Sequence, residues 1–87
     1  MKQVKKSLVD ELLSLRREWW ERARAHSVRK VVSMEITHKA MNVEREIRNT
    51  VAVEFDFDDL ANIVARNKLS NECYYGMLRA CGFEVTE

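Results

Sequence analysis

The sequence contains no proline and only two glycines among its 87 residues. These residue types mark linkers and sharp turns, and no glycine- or serine-rich linker, internal repeat or low-complexity tract divides the chain. We therefore expect one domain spanning residues 1–87, near the size at which a single hydrophobic core becomes marginal. A reading frame this short is also compatible with a bacteriophage or mobile-element origin.

Long apolar runs are missing as well. No stretch approaches the ~20 residues that a membrane-spanning helix needs, and the lysine-rich start is followed by mixed charge rather than by an apolar signal segment. The content of 46% hydrophobic and 33% charged residues is typical of a globular domain. These features predict a cytoplasmic protein with no membrane partner.

Residues that perform chemistry are few. Cys73 and Cys81 are eight residues apart in a predicted helix, which separates them by about 12 Å and rules out a disulfide between them. His26 and His38 have no cysteine or histidine at zinc-ligand spacing. No glycine-rich phosphate loop or Ser/His/Asp order occurs. The sequence therefore predicts a protein that is not an enzyme, with no catalytic residue, metal or cofactor.

Charge is distributed unevenly although the net charge is only +1. Residues 1–49 contain 12 Lys/Arg against 7 Asp/Glu, whereas residues 50–87 contain 3 against 7. The basic half is the part expected to meet an acidic partner.

The middle of the chain is predicted to form an antiparallel β-hairpin over residues 28–55. A two-residue turn at Met41-Asn42 would place Ile36 opposite Ile47 on an apolar face and oppositely charged residues on the other face. The turn lacks glycine, and residues 39–48 are rich in Glu, Arg and Ala. A short helix over residues 39–48 therefore remains an alternative.

Helices are predicted on both sides of the hairpin. Residues 2–26 form an amphipathic helix whose apolar stripe includes Leu8, Leu12, Leu15 and Trp19. Two short helices follow, over about 58–67 and from Asn71 onwards, with N-terminal capping by the aspartates that begin at Asp56 and by Ser70. The predicted fold class is α+β in the order α-β-β-α-α, with Gly82 as a left-handed helix stop and residues 83–85 as an optional edge strand.

Trp20 is the most suggestive candidate for binding, since Arg16 and Arg24 lie one helical turn to either side. Such a cluster either binds a partner or forms a cation–π contact within the molecule. The tip of the hairpin, from His38 to Arg45, would extend beyond one helix. The predicted partner-binding residues are Arg16, Arg17, Trp20, Arg24, His38 and Arg45.

Residues 63–78 resemble a helix-turn-helix, with a short capped turn between two apolar-stepped helices. In that case Asn71, Tyr75 and Arg79 would project from the second helix toward DNA. The net negative charge of this half opposes DNA binding, because phosphate neutralisation supplies most of the non-specific affinity.

Small size, a wide apolar arc and a basic rim together favour a non-enzymatic interaction protein. We expect a regulator or inhibitor that binds a surface of a larger protein or nucleoprotein, as a monomer or weak homodimer. A small helix-turn-helix-like DNA-binding regulator is the alternative.

Overall fold

The computed structural model describes residues 2–24 and 30–87, with the backbone alone for residues 30–33. Within these residues, four helices lie between two short strands that pair with each other in parallel, with Val4 opposite Val85. The elements in chain order are β1 (Lys2–Lys5), α1 (Lys6–Arg24), α2 (Lys30–Val51), α3 (Phe57–Arg66), α4 (Asn71–Ala80) and β2 (Phe83–Thr86).

The predicted antiparallel hairpin is wrong, and with it the order α-β-β-α-α. Residues 30–51 of the predicted hairpin form α2, a single helix of 22 residues, and residues 52–55 follow it as a connection. Residues that would face each other in the hairpin also lie on one side of a helix. Ala40 and Val43 are three residues apart, close to one helical turn, and Ile36 and Ile47 are eleven apart, close to three turns. The same apolar set therefore suits one face of a helix, and helix-favouring residues with no turn glycine decide the outcome. The alternative helix over 39–48 had the right type but was too short; Val28 and Arg29 lie outside the described residues.

The first helix begins later than predicted and buries a different face. It starts at Lys6, because residues 2–5 form β1. Its buried side chains are Val9, Leu12, Leu13 and Arg16. At about 100° per residue, the centre of this face is rotated by some 90° from the predicted stripe through Leu8, Leu15 and Trp19.

The two C-terminal helices, their N-caps and the left-handed conformation of Gly82 are confirmed. Asp56 caps α3 by accepting a hydrogen bond from the Asp59 N–H at 2.8 Å. Ser70 caps α4 by accepting one from the Cys73 N–H at 3.3 Å. Gly82 has a φ of +93° and leads into β2, which pairs with β1 rather than with a hairpin.

The core lies where α1, α2 and α3 meet the two strands. Phe57 and Phe83 are buried and pack with half-buried Phe55 in edge-on and tilted contacts at ring-centroid distances of 4.8–5.1 Å. The Tyr74 hydroxyl donates to the Phe57 carbonyl at 2.9 Å, which attaches α4 to the start of α3. Among the described residues, none of the helices has the length and apolar character to cross a membrane.

Candidate functional site

A ladder of polar contacts joins α1 to α3. In each rung, the residue of α3 comes 42 positions after its partner in α1. A constant offset means that the two helices run parallel with matched turns. The rungs are Arg16 to Asp58, Trp20 to Asn62, and Arg24 to the Arg66 carbonyl.

The first rung is a bidentate ion pair. Arg16 donates from Nε and NH2 to the two carboxylate oxygens of Asp58 at 2.6 and 2.5 Å. The side chains are only 8% and 18% exposed. Arg16 is therefore held inside the molecule, although the sequence made it a candidate for partner binding.

Carboxylates crowd the start of α3 beside this pair. Glu44 of α2 accepts hydrogen bonds from the Asp58 N–H at 2.9 Å and from Arg48 at 3.1 Å. Burial raises the pKa of Glu44 above its ordinary value, and Asp56 reinforces the shift, while the two hydrogen bonds oppose it. Burial also raises the pKa of Tyr74 far above its usual range, so its hydroxyl stays protonated and continues to donate.

The two tryptophans have the opposite roles from those that the apolar stripe suggested. Trp20 packs against the core, and its indole N–H donates to Asn62 at 3.1 Å. The cation nearest its ring face is Arg66 at 6.0 Å, rather than Arg16 or Arg24. Trp19 stands edge-on to Trp20 at 4.9 Å and is not among the side chains packed on the core. The aromatic cluster is thus a contact between α1 and α3.

Arg17 and Arg24 border a groove between α1 and the turn after α3. Arg17 donates to the Leu69 carbonyl at 3.0 Å, and Arg24 donates to the Arg66 carbonyl at 3.1 Å. The groove encloses about 590 Å³, and Lys68 contributes a third cation. Its lining residues are Arg17, Glu21, Arg24, Ala65, Lys68 and Leu69.

The remaining candidates, His38 and Arg45, lie on the exposed side of α2. With Met34 and Met41 they form a line at steps of four, three and four residues, which we call the α2 outer face. Met34 is 56% exposed and Met41 is 50% exposed. The opposite side of the helix is buried and consists of Ile36, Ala40, Val43 and Ile47.

The DNA-contact candidates of the helix-turn-helix-like segment are mostly used within the molecule. Asn71 donates to Asp10 of α1 at 3.1 Å, and the Tyr75 hydroxyl also donates to Asp10. Tyr75 is 4% exposed, whereas Arg79 is exposed. Only Arg79 of the three is thus available to a ligand.

Catalytic chemistry has no visible arrangement in the described part of the chain. Its residues hold no cluster of three histidine, cysteine or acidic side chains suited to a metal ion. Cys73 and Cys81 are both exposed and free. The described residues also form the groove beside α1 and the α2 outer face.

Sequence reasoning missed Met34, Met41 and Lys68. Interpreting this segment as a hairpin separated the two methionines from each other. A helical wheel of residues 34–45 would have grouped them with His38 and Arg45. Lys68 follows the last turn of α3 at a position where glycine is the preferred residue. A lysine at that position was the feature of the sequence that could have drawn attention to it.

No protein-family model, curated protein or solved structure matches the chain.

Proposed function

We propose that this chain is a non-enzymatic binding protein that docks on a larger protein through the α2 outer face, and so acts as a regulator or inhibitor of that protein. The observation that carries the proposal is the exposure of Met34 and Met41, seven residues apart on one side of a helix whose other side is buried. A helix presenting apolar anchors at this spacing suits a hydrophobic groove on a partner.

Methionine suits such an anchor because its thioether is apolar, flexible and polarizable. Each buried anchor contributes through the apolar area that it removes from water, at about 25 cal/mol per Å². About half of the surface of each methionine is exposed in the free protein, so docking needs no rearrangement of α2 to present these side chains.

The charges on the face indicate the rim of the partner's groove. His38 and Arg45 flank Met41, whereas the acidic residues of α2 project about 90° or more from the centre of the face. Among the described residues, Arg45 has no ion-pair partner. We therefore propose a groove with an apolar floor and acidic side chains at its edge, since complementary charge favours association and the correct orientation.

The test compares proteins captured from a bacterial lysate by three purified, tagged versions of the chain, each after nuclease treatment. The first is the wild type, the second is Met34→Gln with Met41→Gln, and the third is Ile63→Gln. Ile63 is 48% exposed on α3 and provides a matched loss of apolar surface elsewhere.

A partner that uses the α2 outer face should be retained by the wild type and by Ile63→Gln and lost by the methionine double variant. Affinity for the purified partner should fall by ~2 kcal/mol or more, as for a central interface anchor. Capture that survives both methionine changes would refute the proposed surface.

The alternative of a DNA-binding regulator has weaker support. Two of its three candidate contacts, Asn71 and Tyr75, are bonded to Asp10, and Glu72 is exposed on the same helix. DNA binding that disappears with salt and with Arg79→Ala would favour it over the protein-binding proposal.

A further inference from the structure

The groove between α1 and the turn after α3 has an excess of positive charge. Of the described residues that line it, Arg17, Arg24 and Lys68 are cations and Glu21 is the one acid. Among the described residues, no carboxylate forms an ion pair with any of these three cations. Its floor is apolar and consists of Ala65 and Leu69. A ligand that fits must therefore combine negative charge with an apolar group.

Two of the cations are fixed in place before any ligand arrives. Arg17 and Arg24 each donate one hydrogen bond to a backbone carbonyl at the border of the groove, at 3.0 and 3.1 Å. A guanidinium group carries five N–H donors, so most of the donors of each arginine remain available. Holding a flexible side chain in advance reduces the entropy lost when a ligand binds.

The third cation occupies a backbone position that disfavours lysine. The N–H groups of Lys68 and Leu69 bond to the carbonyls of Ala65 and Val64 at 3.2 and 2.9 Å, which is the Schellman ending of a helix. Lys68 has a φ of +55°, in the left-handed region where glycine is the least strained residue. The strain is explained if the charge of Lys68 is needed at the edge of the groove.

We propose that this groove binds an acidic peptide segment in which carboxylates flank an apolar side chain. The carboxylates meet Arg17, Arg24 and Lys68, and the apolar side chain rests on Ala65 and Leu69. Arginine recognises carboxylates through paired, charge-assisted hydrogen bonds. This site shares no residue with the α2 outer face, so the two proposals can fail separately.

A peptide fits the groove better than a nucleic acid strand does. Among the described residues, no aromatic side chain lines the groove, and sequence-tolerant binding of single strands depends on bases stacking on aromatic rings. Glu21 would repel a continuous row of phosphates. A peptide can instead place a backbone N–H or a neutral residue beside Glu21.

The experiment is an NMR titration of the full chain with the blocked peptide Glu-Glu-Leu-Glu-Glu, beside Gln-Gln-Leu-Gln-Gln as the uncharged control. Two glycine variants are compared with the wild type, Lys68→Gly and Ala52→Gly. Ala52 follows α2 at a φ of +56°, so it matches Lys68 in backbone strain but lies outside the groove.

The melting temperature of both variants should be about 4 °C above that of the wild type, because glycine relieves the backbone strain. The acidic peptide should shift the amide signals of residues 65–69, and its affinity should fall with added salt. Lys68→Gly should bind it about fivefold more weakly, as expected for the loss of one charge contact. Ala52→Gly and the methionine double variant should bind it as the wild type does.

Three results would overturn the proposal. The first is the absence of shifts at residues 65–69 at millimolar peptide. The second is equal affinity of the wild type and Lys68→Gly for the acidic peptide. The third is tighter binding of an oligothymidylate of the same charge at the same amides, which would make the groove a nucleic acid site.

Discussion

The buried ion pair between Arg16 and Asp58 permits a quantitative test of how α1 and α3 are joined. We consider Arg16→Met, which preserves most of the apolar stem of the side chain, and Asp58→Ala. Each variant leaves one charge without its partner where the side chains are only 8% and 18% exposed. Removing one member of a fully buried pair costs about 3–5 kcal/mol.

The two single losses should differ in size. Asp58 is the second residue of α3, where the helix dipole stabilises a negative charge by about 0.3–1 kcal/mol. The orphaned aspartate in Arg16→Met keeps this support. The orphaned arginine in Asp58→Ala has no other hydrogen bond among the described residues, because the nearby Glu44 is already bonded to the backbone N–H of residue 58 and to Arg48. Because Asp58 is the more exposed member, we expect losses at the lower end of the range, about 3 kcal/mol for Asp58→Ala and 2–2.5 kcal/mol for Arg16→Met.

The double variant should lose less than the two single losses combined, by about 2 kcal/mol, because neither charge is then orphaned. Urea unfolding followed by circular dichroism measures all four proteins, and equal slopes against urea would show that the unfolded states are comparable. A chain of 87 residues has a total stability of about 4–13 kcal/mol, so these losses are well within range. Additive losses would refute the coupling, and a larger loss for Arg16→Met would refute the dipole argument.

Two further predictions concern the same region. Trp20→Ala should destabilise the fold by about 2–3 kcal/mol, because packing and the hydrogen bond to Asn62 are lost. Trp19→Ala should destabilise it by only about 1 kcal/mol. Equal losses of the two variants in urea unfolding would contradict the structure. Because burial raises the folded-state pKa of Glu44, its ionised form costs stability above that pKa. As pH rises from the unfolded-state pKa, about 4.3, to the folded-state pKa, the wild type should lose stability relative to Glu44→Gln. The free energy of unfolding of Glu44→Gln minus that of the wild type should therefore increase over this range, and a pH-independent difference would contradict this.

Local signals in the sequence predicted the C-terminal third well. Asp56 and Ser70 are side chains that cap helices by a mechanism confined to a few neighbouring residues. Gly82 similarly ends a helix by its own conformational freedom, with a φ of +93°. Such features depend on nothing distant, so they can be inferred without knowing the fold.

The central helix could not be identified from its apolar spacing alone. Residues 36, 40, 43 and 47 satisfy the face of a helix and, when paired about Met41-Asn42, also the face of a hairpin. Pairing about Met41-Asn42 would place Met34 on the inner, apolar face of the hairpin, whereas Met34 is 56% exposed in α2. The error in the fold therefore concealed the surface on which the proposed function depends.

The ladder between α1 and α3 depends on information that a single sequence does not hold. The spacing of Arg16, Trp20 and Arg24 is visible, and Asp58 and Asn62 show the same four-residue step. Nothing in those spacings says that the two helices run parallel or that their turns are matched. The interpretation of Trp20 as an anchor for a partner and its interpretation as an internal contact were thus equally consistent with the sequence.

Two ion pairs join the basic half of the chain to its acidic half, so part of the charge asymmetry is used within the molecule. Arg16 of the basic half pairs with Asp58 of the acidic half, and Lys6 pairs with Glu87 at 3.7 Å. Arginines that form such bonds cannot count as evidence for an external acidic partner. Among the described residues, the cations without carboxylate partners include Arg45 on the α2 outer face and the three cations of the groove, and these are the cations on which our two proposals depend.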